Sequence, residues 1–170
     1  MSVRRYNIEA QARFLTFSCY QRVQLLDDPD VRNLLIEQIE AQRRSLGFRV
    51  IAWVIMPEHV HLLLVPKDGE IAPVLKGIKM GFARRVLTKM RKDQNPLLEK
   101  MRDARGVAHI WQRGGGYDRN VRDQAELEKF VGYIHMNPVK RGLVEQATDW
   151  VWSSARDYQG VQGKIELWRG

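Results

Sequence analysis

Two hydrophobic periods alternate along the chain, and they divide it into elements. Arg13 to Tyr20 (RFLTFSCY) is rich in aromatic and β-forming residues and predicts a strand. Asp28-Pro29 reads as an N-cap followed by proline at the first helical position. Val31, Leu34, Leu35, Gln38 and Ile39 then share one helical face, and Gly47 is a natural stop. Phe48 to Met56 (FRVIAWVIM) is a nearly continuous apolar run of strand length. Pro57-Glu58 interrupts it, and HVHLLLVP resumes from His59, so the two runs predict a hairpin. Ile71 to about Lys92 predicts a helix, with Val74, Leu75, Ile78, Phe82, Val86 and Met90 as its buried stripe. The polar stretch 95–106 reads as a loop or one short helical turn. Val107 to Gln112 (VAHIWQ) predicts another strand, before the triple glycine 114–116. Asp123 with Glu126 three residues later forms a capping-box pattern. The helix it opens carries Leu127, Phe130, Val131 and Ile134 and is expected to end at Asn137, because proline disfavours a helical residue before it.

The order strand, helix, strand, strand, helix, strand, helix is that of an α+β, ferredoxin-like (RRM-like) split βαβ fold. It predicts a mostly antiparallel sheet with helices on one face and the last helix C-terminal. With 170 residues, 44% hydrophobic and 28% charged, the chain suits one domain with its own core. Residues 1–12 are expected as a basic N-terminal arm and 159–170 as a tail. No apolar run approaches the roughly 20 residues of a membrane span, and the N-terminus lacks the apolar segment of a signal peptide. Cys19 is the only cysteine and reads as a buried strand residue, so no internal disulfide forms and a cytoplasmic location is expected.

The formal charge of +8 favours a polyanionic partner, since neutralising phosphates releases counterions. No segment has the strong apolar face opposite Lys and Arg that membrane-surface binding needs, so no membrane partner is expected.

Within the strand from His59, His59 and His61 lie two residues apart, so both imidazoles point to one face, about 7 Å apart at Cα. Val60, Leu62 and Leu64 face the core. An H-x-H pair alone is more often structural than ligating, but two of the chain's four histidines here share one strand face. On the last helix Tyr133 and Asn137 are spaced i, i+4 and share a face. An Asn carbonyl suits a hard cation such as Mg²⁺ or Mn²⁺, and a neutral His, His, Asn set would leave the full metal charge for a phosphate oxygen. The absence of a Cys ligand argues against structural zinc. Tyr133 beside such a metal suggests a nucleophile. A phosphotyrosine stores nearly the energy of the phosphodiester it replaces, so strand transfer would be reversible. The ordinary alternatives are a boundary tyrosine and a helix-terminal asparagine.

Four segments resemble one family. MPEHVHLLL (56–64) is similar to the histidine-hydrophobic-histidine (HUH) motif of one-tyrosine transposases. YIHMNPVKRGLV (133–144) is similar to the tyrosine helix of their REP-associated branch. IWQRGGGYDRNVR (110–122) and WVWSSARDY (150–158) also resemble that branch. The resemblance runs from about Phe14 to Tyr158. It implies that His59, His61 and Asn137 bind Mg²⁺ or Mn²⁺ and that Tyr133 forms a 5′-phosphotyrosine bond with single-stranded DNA. The implied substrate is a short palindromic hairpin with unpaired bases at its foot. The implied setting is the prokaryotic cytoplasm, near the nucleoid. A monomer is implied more than a dimer, although one tyrosine per site permits either. Glu58 departs from the asparagine expected at its place in the motif, and the glycine triple is looser than expected, leaving the placement of Tyr117 open. A non-transposing DNA-binding regulator and a water-using metal hydrolase are the alternative functions.

Three basic groups are candidates for DNA contact. Lys76, Lys79, Arg84, Arg85 and Lys89 lie mostly off the apolar stripe of their helix, as a duplex-binding face or a solvated one. Arg4, Arg5 and Arg13 form either a groove-entering arm or a disordered one. Arg113, Arg119 and Arg122, around the strand and loop before the tyrosine helix, are candidates to hold the scissile phosphate. Trp150, Trp152 and Trp168 either stack on unpaired bases or pack on the core. His135 faces away from Tyr133 and is left out of the site, and His109 reads as structural, with a DNA contact as its alternative.

Overall fold

A computed structural model describes residues 11–168 apart from Gly115. Its sheet has four strands, β1 (Arg13–Ser18), β2 (Arg49–Ile55), β3 (His59–Val65) and β4 (Tyr117–Asn120), in the order β2-β3-β1-β4. Every pairing is antiparallel. The long helices are α1 (Pro29–Leu46), α2 (Ile71–Lys92) and α4 (Gln124–Lys140), and the stretch expected as loop or turn holds the one-turn α3 (Leu97–Lys100). The architecture is the expected α+β split βαβ.

Local chemistry accounts for these limits. Asp28 caps α1 by accepting from Asp30 N at 2.8 Å, with Pro29 at the first helical position, and Gly47 ends it at φ 68°. Asp123 caps α4 by accepting from Glu126 N at 2.8 Å. The reciprocal bond of the capping box goes instead to Arg122, whose backbone N–H donates to Glu126 Oε2.

Each face of the sheet has its own apolar core. Leu15, Phe17, Trp53, Val60, Leu62 and Leu64 face α1 and α2. Phe14, Ala52, Val54, Leu63 and Val65 face the other way, against Ile134 with Leu127, Phe130 and Val131 of α4. The expectation of helices on one face therefore holds for α1 and α2 only. Both β2 and β3 are apolar on both faces, so the sheet needs cover on each side.

Three further expectations are corrected. Residues 107–112 make only isolated bridges, Arg102 with Ala108 and Cys19 with Trp111, and the fourth strand lies beyond the glycines as Tyr117–Asn120. Its four residues are polar because it is an edge strand, pairing with β1 alone. Helix α4 does not stop at Asn137 but runs through Pro138 to Lys140. Proline there removes one N–H, while Arg141 N and Leu143 N still bond to Asn137 O and Pro138 O, and Gly142 at φ 68° ends the path. The C-terminal segment is not a free tail where it is described. Ile165 is buried, Leu167 bridges Val50, and Trp168 N donates to Val50 O at 2.7 Å.

Candidate active site

The two-residue period of β3 places His59 and His61 on the α4 side of the sheet, both about 95% buried. Across from them the helical period brings Tyr133 and Asn137 to one face of α4. The four side chains border one cavity of about 600 Å³. His59 Nε2 lies 3.1 Å from His61 Nε2, and the Asn137 amide head lies 3.1 Å from the same His61 atom. Tyr133, 41% exposed, stands with its ring centroid 5.1 Å from that of His61. The sequence-derived quartet is thus brought together.

Hydrogen bonds behind the histidines fix how they present. A carboxylate only accepts, so His59 Nδ1 carries the proton and donates to Glu58 Oε1 at 3.0 Å, leaving Nε2 with a bare lone pair. His61 Nδ1 meets Thr16 Oγ1 at 2.7 Å, a hydroxyl that can accept or donate and so supports either tautomer. Burial lowers the His59 pKa despite Glu58, and burial, the His59 charge and Arg22 push His61 down to about 3. Both rings are neutral at pH 7, as ligands must be.

Two neutral imidazoles directing Nε2 atoms at one point, with an amide that can turn its oxygen there, fit a divalent cation. No three His, Cys, Asp or Glu cluster among the described residues, so a third donor at this point would be the Asn137 amide oxygen. That donor set suits Mg²⁺ or Mn²⁺ rather than structural zinc.

Glu58 is more than a departure in a motif. It is 4% exposed and its Oε1 also accepts from Arg141 Nη1 at 3.0 Å, tying the end of α4 to the start of β3. Burial pushes its carboxyl upward, but His59 and Arg141 outweigh burial and hold it below the usual range. Phe14 forms the floor, stacked on Phe130 at 4.3 Å and on His61 at 5.6 Å. Tyr117 stands at the rim, edge-on to Phe14. The preceding Gly116, at φ 61°, passes so close to β1 that a Cβ would overlap Thr16 O, which is why a glycine precedes Tyr117.

The basic candidates fare differently. Arg13 is corrected: it is 1% exposed and forks onto Asp118, with Nη2 2.8 Å from both carboxylate oxygens, so it braces β1 against β4 and is closed to phosphate. Arg119 and Arg122 converge on Glu126 near the start of α4. Arg113 is exposed beside Asp103, outside the cavity. Lys76, Lys79, Arg84, Arg85 and Lys89 lie on α2, across the sheet from the histidines, where Arg85 pairs with Glu37 and Lys89 with Asp93. Arg4 and Arg5 lie outside the described residues. The cations that do line the cavity are Arg22, Lys129, Lys140 and Arg141. Sequence reasoning missed all four. The three on or after α4 lie at helical spacings from Tyr133 (−4, +7, +8), a signal that was readable.

The remaining candidates are structural. Trp150 Nε1 donates to Ile55 O, Arg32 lies over Trp150 and Trp152, and Trp168 stacks on Arg49. His109 bonds Asp103 and His135 bonds Ser154. No helix of the described residues is long and apolar enough to cross a membrane.

A sheet with an H-x-H pair on one face and a tyrosine helix laid across it is the framework of a one-tyrosine transposase. The IS200-like transposase family model matches residues 9–137. A Haemophilus influenzae protein assigned as a REP-associated tyrosine transposase is 36% identical over 127 residues, 72% of this chain and 68% of its own length. The REP-associated tyrosine transposase of Escherichia coli is 29% identical over 154 residues, 89% of this chain and 80% of its own. A solved REP-associated tyrosine transposase bound to a REP hairpin superposes with a TM-score of 0.74 at 26% identity, covering all of this chain and 92% of the other. The chain belongs to the IS200-like transposase family and, within it, to the REP-associated tyrosine transposases.

Proposed function

We propose that this transposase cleaves and rejoins single-stranded DNA beside a palindromic hairpin, through a 5′-phosphotyrosine at Tyr133. The observation that carries this reading is Tyr133 half exposed over the cavity in which His59, His61 and Asn137 converge. The hairpin in the solved relative supports the substrate class.

In the forward step the Tyr133 phenol gives its proton to solvent, and its oxygen forms a bond to the scissile phosphorus. The bond from phosphorus to the 3′ oxygen breaks, and that oxygen leaves as a hydroxyl after taking a proton. The number of phosphodiester bonds is unchanged, so an incoming 3′ hydroxyl reverses the step on a second strand. His59, His61 and Asn137 would hold Mg²⁺ or Mn²⁺, which supplies a positive charge to polarise the phosphoryl oxygens. Glu58 and Thr16 keep the two rings oriented from behind. The Phe14–Phe130 floor excludes water beneath Tyr133, and Lys140, 5.5 Å from its ring, adds positive charge where DNA would approach.

The test is a labelled hairpin oligonucleotide with unpaired flanks, incubated with the protein and Mg²⁺ or Mn²⁺ and separated under denaturing conditions. A covalent adduct is expected with wild type and absent from Tyr133→Phe, which should still bind. Cleavage surviving Tyr133→Phe would show a water-using hydrolase. His59→Ala should lose cleavage and retain hairpin binding.

A further inference from the structure

Of the arginines nearest the site, most already hold a carboxylate. Arg13 is committed to Asp118, Arg119 and Arg122 to Glu126, and Arg141 to Glu58. Arg22 differs. It borders the same cavity as His59, His61 and Tyr133, it is exposed, and the one hydrogen bond described for its side chain is a long one of 3.5 Å to Ser18 Oγ. Its charge is felt by both histidines, depressing the protonation of each.

The backbone beneath it is unusual. Gln21 and Arg22 are consecutive non-glycine residues in the left-handed region, at φ 48° and 54°, and Gln94 is the only other such residue described. That arrangement persists only where its surroundings enforce it. Here Gln21 N donates to Gln112 Oε1 at 3.0 Å, Arg22 N to Cys19 O at 3.0 Å, and Val23 N to Tyr20 O at 3.1 Å. The turn is anchored to the metal hairpin itself, because Cys19 N donates to Glu58 O at 2.8 Å.

We infer that this strained turn holds Arg22 to grip a non-bridging oxygen of the scissile phosphate, making Arg22 a catalytic residue of the strand-transfer site. The inference rests on the phosphotyrosine reading of Tyr133. A planar guanidinium suits the two non-bridging oxygens, and a fixed cation where charge builds up stabilises the transition state more than the ground state.

The probe is the flanked hairpin oligonucleotide, carrying either phosphate or an uncharged methylphosphonate at the cleaved position. The variants are Arg22→Lys and Arg22→Asn, the latter because asparagine tolerates the left-handed backbone. Thermal melting checks that each is folded. With Mg²⁺, adduct formation should slow on the order of 10²–10³-fold for Arg22→Asn, and less for Arg22→Lys. The penalty should vanish on the methylphosphonate. In EDTA, on a Tyr133→Phe background, Arg22→Asn should reduce the slope of log affinity against log salt by about one. Adduct formation within threefold of wild type, or an equal penalty on the neutral substrate, would overturn the assignment. So would an unchanged salt slope. A wild-type chain forming no adduct would sink the strand-transfer reading, and the metal-free slope would still decide whether Arg22 meets phosphate.

Discussion

Replacing Glu58 by Gln removes one charge behind His59 and His61, the proposed metal ligands, while keeping the shape of the side chain. The carboxylate sits one hydrogen bond, one imidazole ring and one coordination bond from the proposed cation position, about 7 Å in all. At an effective dielectric near 20 that separation gives a dication roughly 5 kcal/mol of gross attraction. Arg141, 3.0 Å from the same oxygen and half exposed, cancels a large part of it. The net effect should fall in the range found for carboxylates behind metal-bound histidines, a 10–100-fold loss of affinity, or about 1.4–2.7 kcal/mol. The glutamine amide can still accept from His59 Nδ1, so the tautomer and fold should survive. Titrating Mn²⁺ into the two folded proteins by calorimetry at pH 7.5 measures the difference directly. Affinities within twofold of each other would refute the reasoning that Glu58 supports the site through its charge.

Three further outcomes follow from the packing. Asp118→Ala removes the carboxylate onto which the buried Arg13 guanidinium forks and should cost about 3–5 kcal/mol in denaturant unfolding; a loss under 1 kcal/mol would refute Asp118 as the brace of that charge. Gly116→Ala meets both a positive φ and Thr16 O, so it should lower the melting temperature and loosen Tyr117, read as lost protection of β4 in hydrogen exchange. His135 is held neutral by burial, its pKa lowered from 6.5 to about 4. The unfolded chain therefore binds more protons between those values, and this contribution is complete above pH 6.5 and lost as pH falls toward 4. The loss should approach ~3 kcal/mol by pH 4, and His135→Gln should flatten that part of the stability curve.

The parts of the fold that sequence conveyed best were those where burial and period agree. Helix α2 has an unbroken 3.6-residue stripe from Ile71 to Met90, and β2 after Arg49 and β3 apart from its two histidines are apolar, so their limits were plain. Strand β4 was missed because an edge strand pairing on one side needs no apolar run, while VAHIWQ is apolar for another reason: Ile110 and Trp111 plug the α2 side of the core. Continuation of α4 through Pro138 was missed because the usual rule counts the lost N–H but not the bonds that follow it. His59, His61, Tyr133 and Asn137 were legible because each pair obeys the period of its own element. Arg22 was not, since nothing in a Gln-Arg pair announces a left-handed turn, and only the folded chain brings it to residues almost forty positions away. The α2 cations show the opposite case, a helix face that is conspicuous in sequence and lies across the sheet from the chemistry.

Tyr133 is the residue proposed to become bonded to DNA. The most direct measurement is peptide mapping of the adduct formed with a flanked hairpin oligonucleotide and Mg²⁺. After nuclease and trypsin digestion, mass spectrometry should find a nucleotide phosphate on the peptide FVGYIHMNPVK, residues 130–140, attached at Tyr133. Attachment at another residue such as Tyr117, or cleaved DNA with no attached peptide, would contradict it.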